Sequence, residues 1–240
     1  MFRKRSHDEG FAQPAPLALR AADGAPLVAF APEIVDSFRH MVTELQYGGG
    51  FPARLATVAA LRGEGVTFST LALAATLASD DPARVCAVEL NWWAPGMLRL
   101  LGGAAPRPGL ADVLLGRLEL NDALLATDRP NLALLPAGSL PPDQRPAAAR
   151  GERLRTLIEE LGARFDHLVL DIPAVLATSD AIALASLGTA CCVVVRYGVT
   201  PTGAVQSALD DLKHLPQLGV ILNQARIRTP RWLRALVPQE

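Results

Sequence analysis

Residues 54–78 read RLATVAALRGEGVTFSTLALAATLA, and this stretch decides the fold. Its first eight residues, 54–61, are apolar at nearly every position after Arg54, as in a strand buried on both faces. Residues 67–78 are small or aliphatic throughout and read as a helix. Between them lies Gly63-Glu64-Gly65-Val66-Thr67-Phe68-Ser69. A strand, a glycine-rich turn and a helix together point backbone N–H groups at an anion beside a helix N-terminus. The phosphate-loop pattern G-x-x-x-x-G-K-[ST] adds a lysine that reaches the β- and γ-phosphates. Here Val66 stands between the glycine and the hydroxyl residue, and it carries no charge. The turn therefore has two readings: a nucleotide-fold loop that does something other than ordinary ATP hydrolysis, or a tight strand-to-helix turn kept for close packing.

Working outward, apolar runs recur at residues 84–89, 131–135, 167–171, 190–196 and 218–222. Helical patterns lie between them at 109–115, 149–165, 179–187 and 203–215, and a Pro-rich loop spans 136–146. Fully apolar strands alternating with helices predict a doubly wound α/β domain with a mainly parallel sheet. Ligands in such sheets sit at the carboxyl ends of strands, where residues 63–67, residues 89–91 and Asp171 all fall. Residues 32–47 (PEIVDSFRHMVTELQY) form a helix whose apolar stripe is Ile34, Phe38, Met41 and Leu45, stopped by Gly48-Gly49-Gly50. Residues 1–30 carry Pro14, Pro16 and Pro26 among Ala, Gly and charges and read as a flexible tail, leaving 31–240 as one domain.

Half of the 240 residues are hydrophobic, enough for one full core, and a net charge of -1 gives no electrostatic footprint for nucleic acid. Three cysteines, Cys86, Cys191 and Cys192, sit in apolar runs without metal or disulfide spacing, consistent with a reducing cytoplasm. The four histidines are scattered with no ligand spacing. No apolar run has the length of a membrane-spanning helix, and Met1-Phe2-Arg3-Lys4-Arg5 is not followed by the apolar core of a secretory signal. The expected location is cytoplasmic, and peripheral at the inner face of the membrane if a partner or surface helix draws it there. Residues 226–237 (RIRTPRWLRALV) supply such a candidate, a short basic amphipathic helix, although a solvated end helix is the commoner explanation of such a segment.

Several segments then fall in a familiar succession. VCAVELNWWAPGMLRLLG resembles the second aspartate-bearing strand of the MinD/ParA-like ATPases. With PGLADVLLG, LALLPAG followed by PP, and FDHLVLDIPAVLATSDAIAL, it resembles in order the bacterial tyrosine kinases that regulate polysaccharide export. The helix at 32–47 is similar to that family's N-terminal oligomerisation helix, and the resemblance covers roughly residues 32–224. It implies a P-loop NTPase (MinD/ParA-like) fold and a nucleotide site formed by Arg62, Gly63, Glu64, Gly65, Val66, Thr67 and Phe68, with Asn223 at the adenine position. It also implies Mg²⁺ ligation by Thr67 and Asp171 if the metal binds. The family's two carboxylates fall on Glu89 and Asn91, and its extra signature lysine on Leu61.

The departures from the pattern shape the expected function. Val66 removes the cationic anchor, and Asn91 cannot act as a base. Phosphoryl transfer rests on positioning and electrostatic stabilisation, so both losses act on the same step. Tyr47 and Tyr197 are the only tyrosines, whereas autophosphorylating relatives end in a tyrosine cluster. The family's Glu-x-x-Arg-x-x-Arg pattern falls on Asp36, Arg39 and Val42, which leaves one charge pair for assembly into a homo-oligomer. The expectation is a non-catalytic or weakly nucleotide-binding regulator of capsular or exopolysaccharide biosynthesis. Its partner by resemblance is a membrane polysaccharide co-polymerase, with Trp92, Trp93 and the basic segment as docking surfaces. No cofactor is required, and ATP or ADP with Mg²⁺ remains compatible with the loop. The rival expectation is an active ATPase or tyrosine autokinase with Thr67 and Asp171 on Mg²⁺, Glu89 as base, and a cation from Arg62 or a neighbouring subunit. A MinD/ParA-like spatial organiser is a third reading, and it lacks both lysines.

Overall fold

The computed structural model describes residues 16–103 and 107–225. It opens with a hairpin, β1 (Leu17–Arg20) against β2 (Pro26–Phe30), paired antiparallel. The expected flexible tail over 1–30 is thus corrected for its second half, and residues 1–15 lie outside the described residues. Leu19 and Phe30 are buried and clamp the hairpin onto the main body, with Phe30 edge-on to Phe68 at 5.4 Å between ring centroids. The apolar runs LALR and PLVAF pair as strands despite the local Pro, Ala and Gly content.

Helix α1 (Pro32–Tyr47) has the expected bounds, but its buried face is Val35, Phe38 and Val42, with Ile34 and Met41 at the edges. The stripe is rotated because α1 packs on α2 (Val66–Asp80), a helix buried along ten residues. Arg39 bonds Asp80 of α2 at 2.7 Å and Asp36 at 2.8 Å, so its guanidinium already serves the chain's own helix pair.

The central sheet comprises β3 (Arg54–Ala59), β4 (Val85–Glu89), β5 (Leu125–Ala126), β6 (Leu132–Leu135), β7 (His167–Asp171), β8 (Ala190–Arg196) and β9 (Gln217–Asn223). Its order is β5-β6-β4-β7-β3-β8-β9, parallel throughout except for the two-residue β5. From β3 the chain moves out to β4 and β6, then returns to β7 and crosses to β8 and β9. The strand order therefore reverses beside β3, where an open α/β sheet forms its ligand crevice.

Helices cover both faces. Leu55, Ala87, Val169 and Cys192 pack under α1 and α2. The short α3 (Met97–Leu100) packs on that same side through Met97 and Leu100. Ala56, Val88, Leu170 and Val193 face the opposite layer, built from α4 (Leu110–Leu114), α5 (Leu120–Ala123), α6 (Arg145–Arg150), α7 (Glu152–Arg164), α8 (Asp180–Ala185) and α9 (Thr202–Asp211). The single helix expected at 149–165 is two helices broken at Gly151, whose ψ of 145° is extended. Helix α6 begins inside the expected Pro-rich loop because proline is accepted in a first helical turn. At the edge, β9 leaves Leu218, Val220 and Leu222 partly exposed.

Candidate functional site

The turn between β3 and α2 needs two glycines with left-handed backbones, Gly63 at φ 80° and Gly65 at φ 93°. Gly65 caps α2, and the first acceptor used by the helix is its carbonyl, bonded by Ser69 N–H at 2.9 Å. The N–H groups of Val66, Thr67 and Phe68 have no acceptor among the described residues, the orphan donors of a helix start. A Cβ on Gly65 would overlap Asn223 Nδ2. That nitrogen donates to Glu64 O at 2.8 Å, while Asn223 Oδ1 accepts from Gln224 N–H at 2.8 Å. Asn223, expected at an adenine, thus has both ends of its amide engaged in holding the loop.

Glu64 is also turned inward, 4% exposed. One of its oxygens accepts Leu61 N–H at 3.1 Å and the other accepts the Thr200 hydroxyl. The loop keeps its shape by carboxylate and amide bonds to itself and to the strands beside it.

Beneath the loop, Glu89 and Asp171 end adjacent strands in register, and Thr57 of β3 pairs Asp171 on the other side. Glu89 Oε1 accepts N–H from Gly96 at 2.5 Å and Met97 at 2.8 Å, and Oε2 accepts Ala137 N–H at 3.0 Å. Burial raises the Glu89 pKa, opposed by these amides and by the charge of Arg99. Its carboxylate is a brace for two loops, each oxygen accepting backbone N–H at the position where the rival expectation had a base. Asn91 Oδ1 accepts Ala94 N–H at 3.0 Å and closes the following turn.

Asp171 is fully buried, and neither oxygen has a well-formed hydrogen bond among the described residues. Burial pushes its pKa well above the carboxylate range, Glu89 pushes it further, and the Thr67 hydroxyl pulls it back. An orphaned buried carboxylate beside a first-turn threonine fits a hard divalent cation.

A cavity of about 260 Å³ opens over these residues. It brings together Arg62, Gly63, Glu64, Gly65, Val66, Thr67, Phe68 and Asn91 from the expected set. It adds Trp93, Gly96, Arg99 and the loop after β7, which the sequence reading did not assign to the site. Arg99 lies ten residues past the end of β4 on a one-turn helix, and no spacing rule points to it. Trp92, expected on a docking surface, is 2% exposed and donates its indole N–H to Ala137 O at 2.9 Å. It is a core residue, while Trp93 lies tilted against it at 6.2 Å and borders the cavity. The basic segment at 226–237 lies outside the described residues.

No family profile matches the chain. It is 29% identical over 228 residues to the succinoglycan biosynthesis transport protein ExoP of Rhizobium meliloti, covering 92% of this chain and 28% of that protein. It is 27% identical over 207 residues to the tyrosine-protein kinase CpsD of Streptococcus agalactiae, covering 80% and 89% respectively. The chain thus spans about a quarter of ExoP and most of CpsD. Among solved structures, the kinase domain of the Escherichia coli tyrosine kinase ETK superposes with a TM-score of 0.73 at 24% identity, over 82% of this chain and 77% of that one. MinD complexed with Mg-ADP from Pyrococcus horikoshii superposes at 0.59 and 24%, over 76% of each.

The fold is that of the MinD/ParA-like P-loop NTPases. Within that class, the chain is similar in sequence to the bacterial tyrosine-protein kinases CpsD, Wzc and Etk.

Proposed function

We propose that this chain is a non-catalytic or weakly nucleotide-binding regulator of capsular or exopolysaccharide biosynthesis and export. It acts on the cytoplasmic face of a membrane polysaccharide co-polymerase. The observation that carries this reading is Val66, an uncharged side chain at the first position of α2, in a loop whose glycine geometry is otherwise that of a phosphate cradle. The degenerate loop keeps its amides and lacks the charge that follows the transferred phosphoryl group. Glu89, braced by three amides, adds no base to compensate.

Thr67 and Asp171 would hold Mg²⁺ if nucleotide enters, and the metal would neutralise charge on the bound phosphates. The chain's own residues fix the loop, exclude water beneath it and keep Asp171 available. The basic segment at 226–237 is a candidate for docking to the partner.

Removal of the gene from its cell tests the role. Deletion is expected to shift the amount or chain length of the exported polymer, and a chromosomal Asp171→Asn allele to restore it. An Asp171→Asn allele that behaves like the deletion would contradict a non-catalytic role. Unchanged polymer in the deletion would contradict the role itself.

A further inference from the structure

We propose that Arg99 supplies the phosphate-facing positive charge of this cavity, so that the site takes the diphosphate moiety of a nucleotide through a cation placed on α3 instead of on α2. This rests on the reading of the cavity as a surviving nucleotide cradle.

Three observations converge on Arg99. Its guanidinium borders the cavity together with Thr67 and the glycine loop, and it forms no salt bridge or hydrogen bond among the described residues. Gly96 places it: a Cβ there would lie 3.1 Å from Thr67 Oγ1 and 3.5 Å from Arg99 Nη2. The hydroxyl and the guanidinium therefore flank one point, and the absence of a side chain at Gly96 keeps that point open. Glu89 holds the Gly96 and Met97 amides, which fixes where α3 starts and hence where Arg99 is carried.

The surroundings ask for an anion with a cation beside it. Among the described residues the amides of Val66, Thr67 and Phe68 have no acceptor, and the fully buried Asp171 below them has no well-formed hydrogen bond to either oxygen, with only the Thr67 hydroxyl acting on it. A phosphate on the amides with a divalent ion at Thr67 and Asp171 would satisfy both. Arginine stays protonated at any physiological pH and binds phosphate oxygens through a planar fork. Arg62 also borders the cavity, but it precedes the turn, on the side away from Thr67 in sequence, and nothing shows it beside that hydroxyl.

Calorimetric titration at low salt, with Mg-ADP, Mg-pyrophosphate and adenosine as separate ligands, tests the assignment on the full chain. The natural chain is expected to bind both phosphate ligands, and Arg99→Ala to weaken each by about tenfold or more, a loss of one charge-assisted contact. Arg99→Lys should recover part of the loss, Lys213→Ala in the turn after α9 should match the natural chain, and adenosine should show no dependence on residue 99. Because Arg99 is exposed and its guanidinium makes no hydrogen bond or salt bridge among the described residues, Arg99→Ala should melt within a few degrees of the natural chain. Equal affinity in Arg99→Ala, or no binding of either phosphate ligand by the natural chain, overturns the assignment; silence of this kind leaves standing a non-catalytic regulator that binds no nucleotide. Mg-ATP turnover that is lost in Arg99→Ala would support Arg99 and overturn the non-catalytic reading.

Discussion

Glu89 and Asp171 face each other in register at the carboxyl ends of β4 and β7, yet their environments are opposite: Glu89 receives three backbone N–H groups and Asp171 receives none. One carboxylate is built into the fold. The other is held ready at a cost to it.

That cost has a sign in pH. The folded-state pKa of Asp171 lies well above its ordinary value, chiefly through burial. Its contribution to stability is therefore fully present below the ordinary carboxylate range and is lost as pH rises through that range and into the raised folded value. Asp171→Asn should raise the melting temperature at pH 8 by a few degrees, about what 1 kcal/mol produces in a domain of this size. The gain should shrink toward pH 4. A melting temperature equal to or below that of the natural chain at pH 8 would refute it.

Glu89 predicts the reverse. Glu89→Ala strips the acceptors from the Gly96, Met97 and Ala137 amides and should destabilise the chain by about 2–4 kcal/mol, read from urea unfolding. Glu89→Gln should fall between, since it keeps one acceptor oxygen. If Glu89→Ala unfolds at the same urea concentration as the natural chain, the brace is not what holds these loops.

Gly65 carries two constraints, a left-handed φ of 93° and the proximity of Asn223. Gly65→Ala should cost about 1–3 kcal/mol through backbone strain and displacement of the Asn223 amide. Adding Asn223→Ala should return part of that loss, because the overlap disappears while the strain stays. A strictly additive double mutant in thermal melts would show that the two residues are independent.

Much of this architecture was legible in the sequence. Strands β3, β4, β7 and β8 announce themselves because parallel central strands are apolar on both faces, and the paired glycines of the turn have a conformational reason to be there. The hairpin at Leu17–Phe30 was hidden by prolines, since its burial depends on Leu19 and on Phe30 meeting Phe68, which is distant in sequence. The face of α1 was misjudged because its neighbour α2 sets the burial, and periodicity alone leaves one residue of latitude. Trp92 looked like a surface residue in a polar family pattern until Ala137, 45 residues on, was found accepting its N–H. The same distance in sequence hid the role of Glu89, whose third amide also comes from Ala137. Arg99 reaches the cavity through a loop geometry that Glu89 and Gly96 create together, and neither signal is local.

The central claim, that the loop with Val66 cradles phosphate without transferring it, is tested most directly by steady-state Mg-ATP turnover of the purified chain beside Val66→Lys and Asp171→Ala. The account predicts that the natural chain and Asp171→Ala release phosphate equally slowly, at the uncatalysed background. Mg²⁺-dependent release by the natural chain that disappears in Asp171→Ala would contradict it.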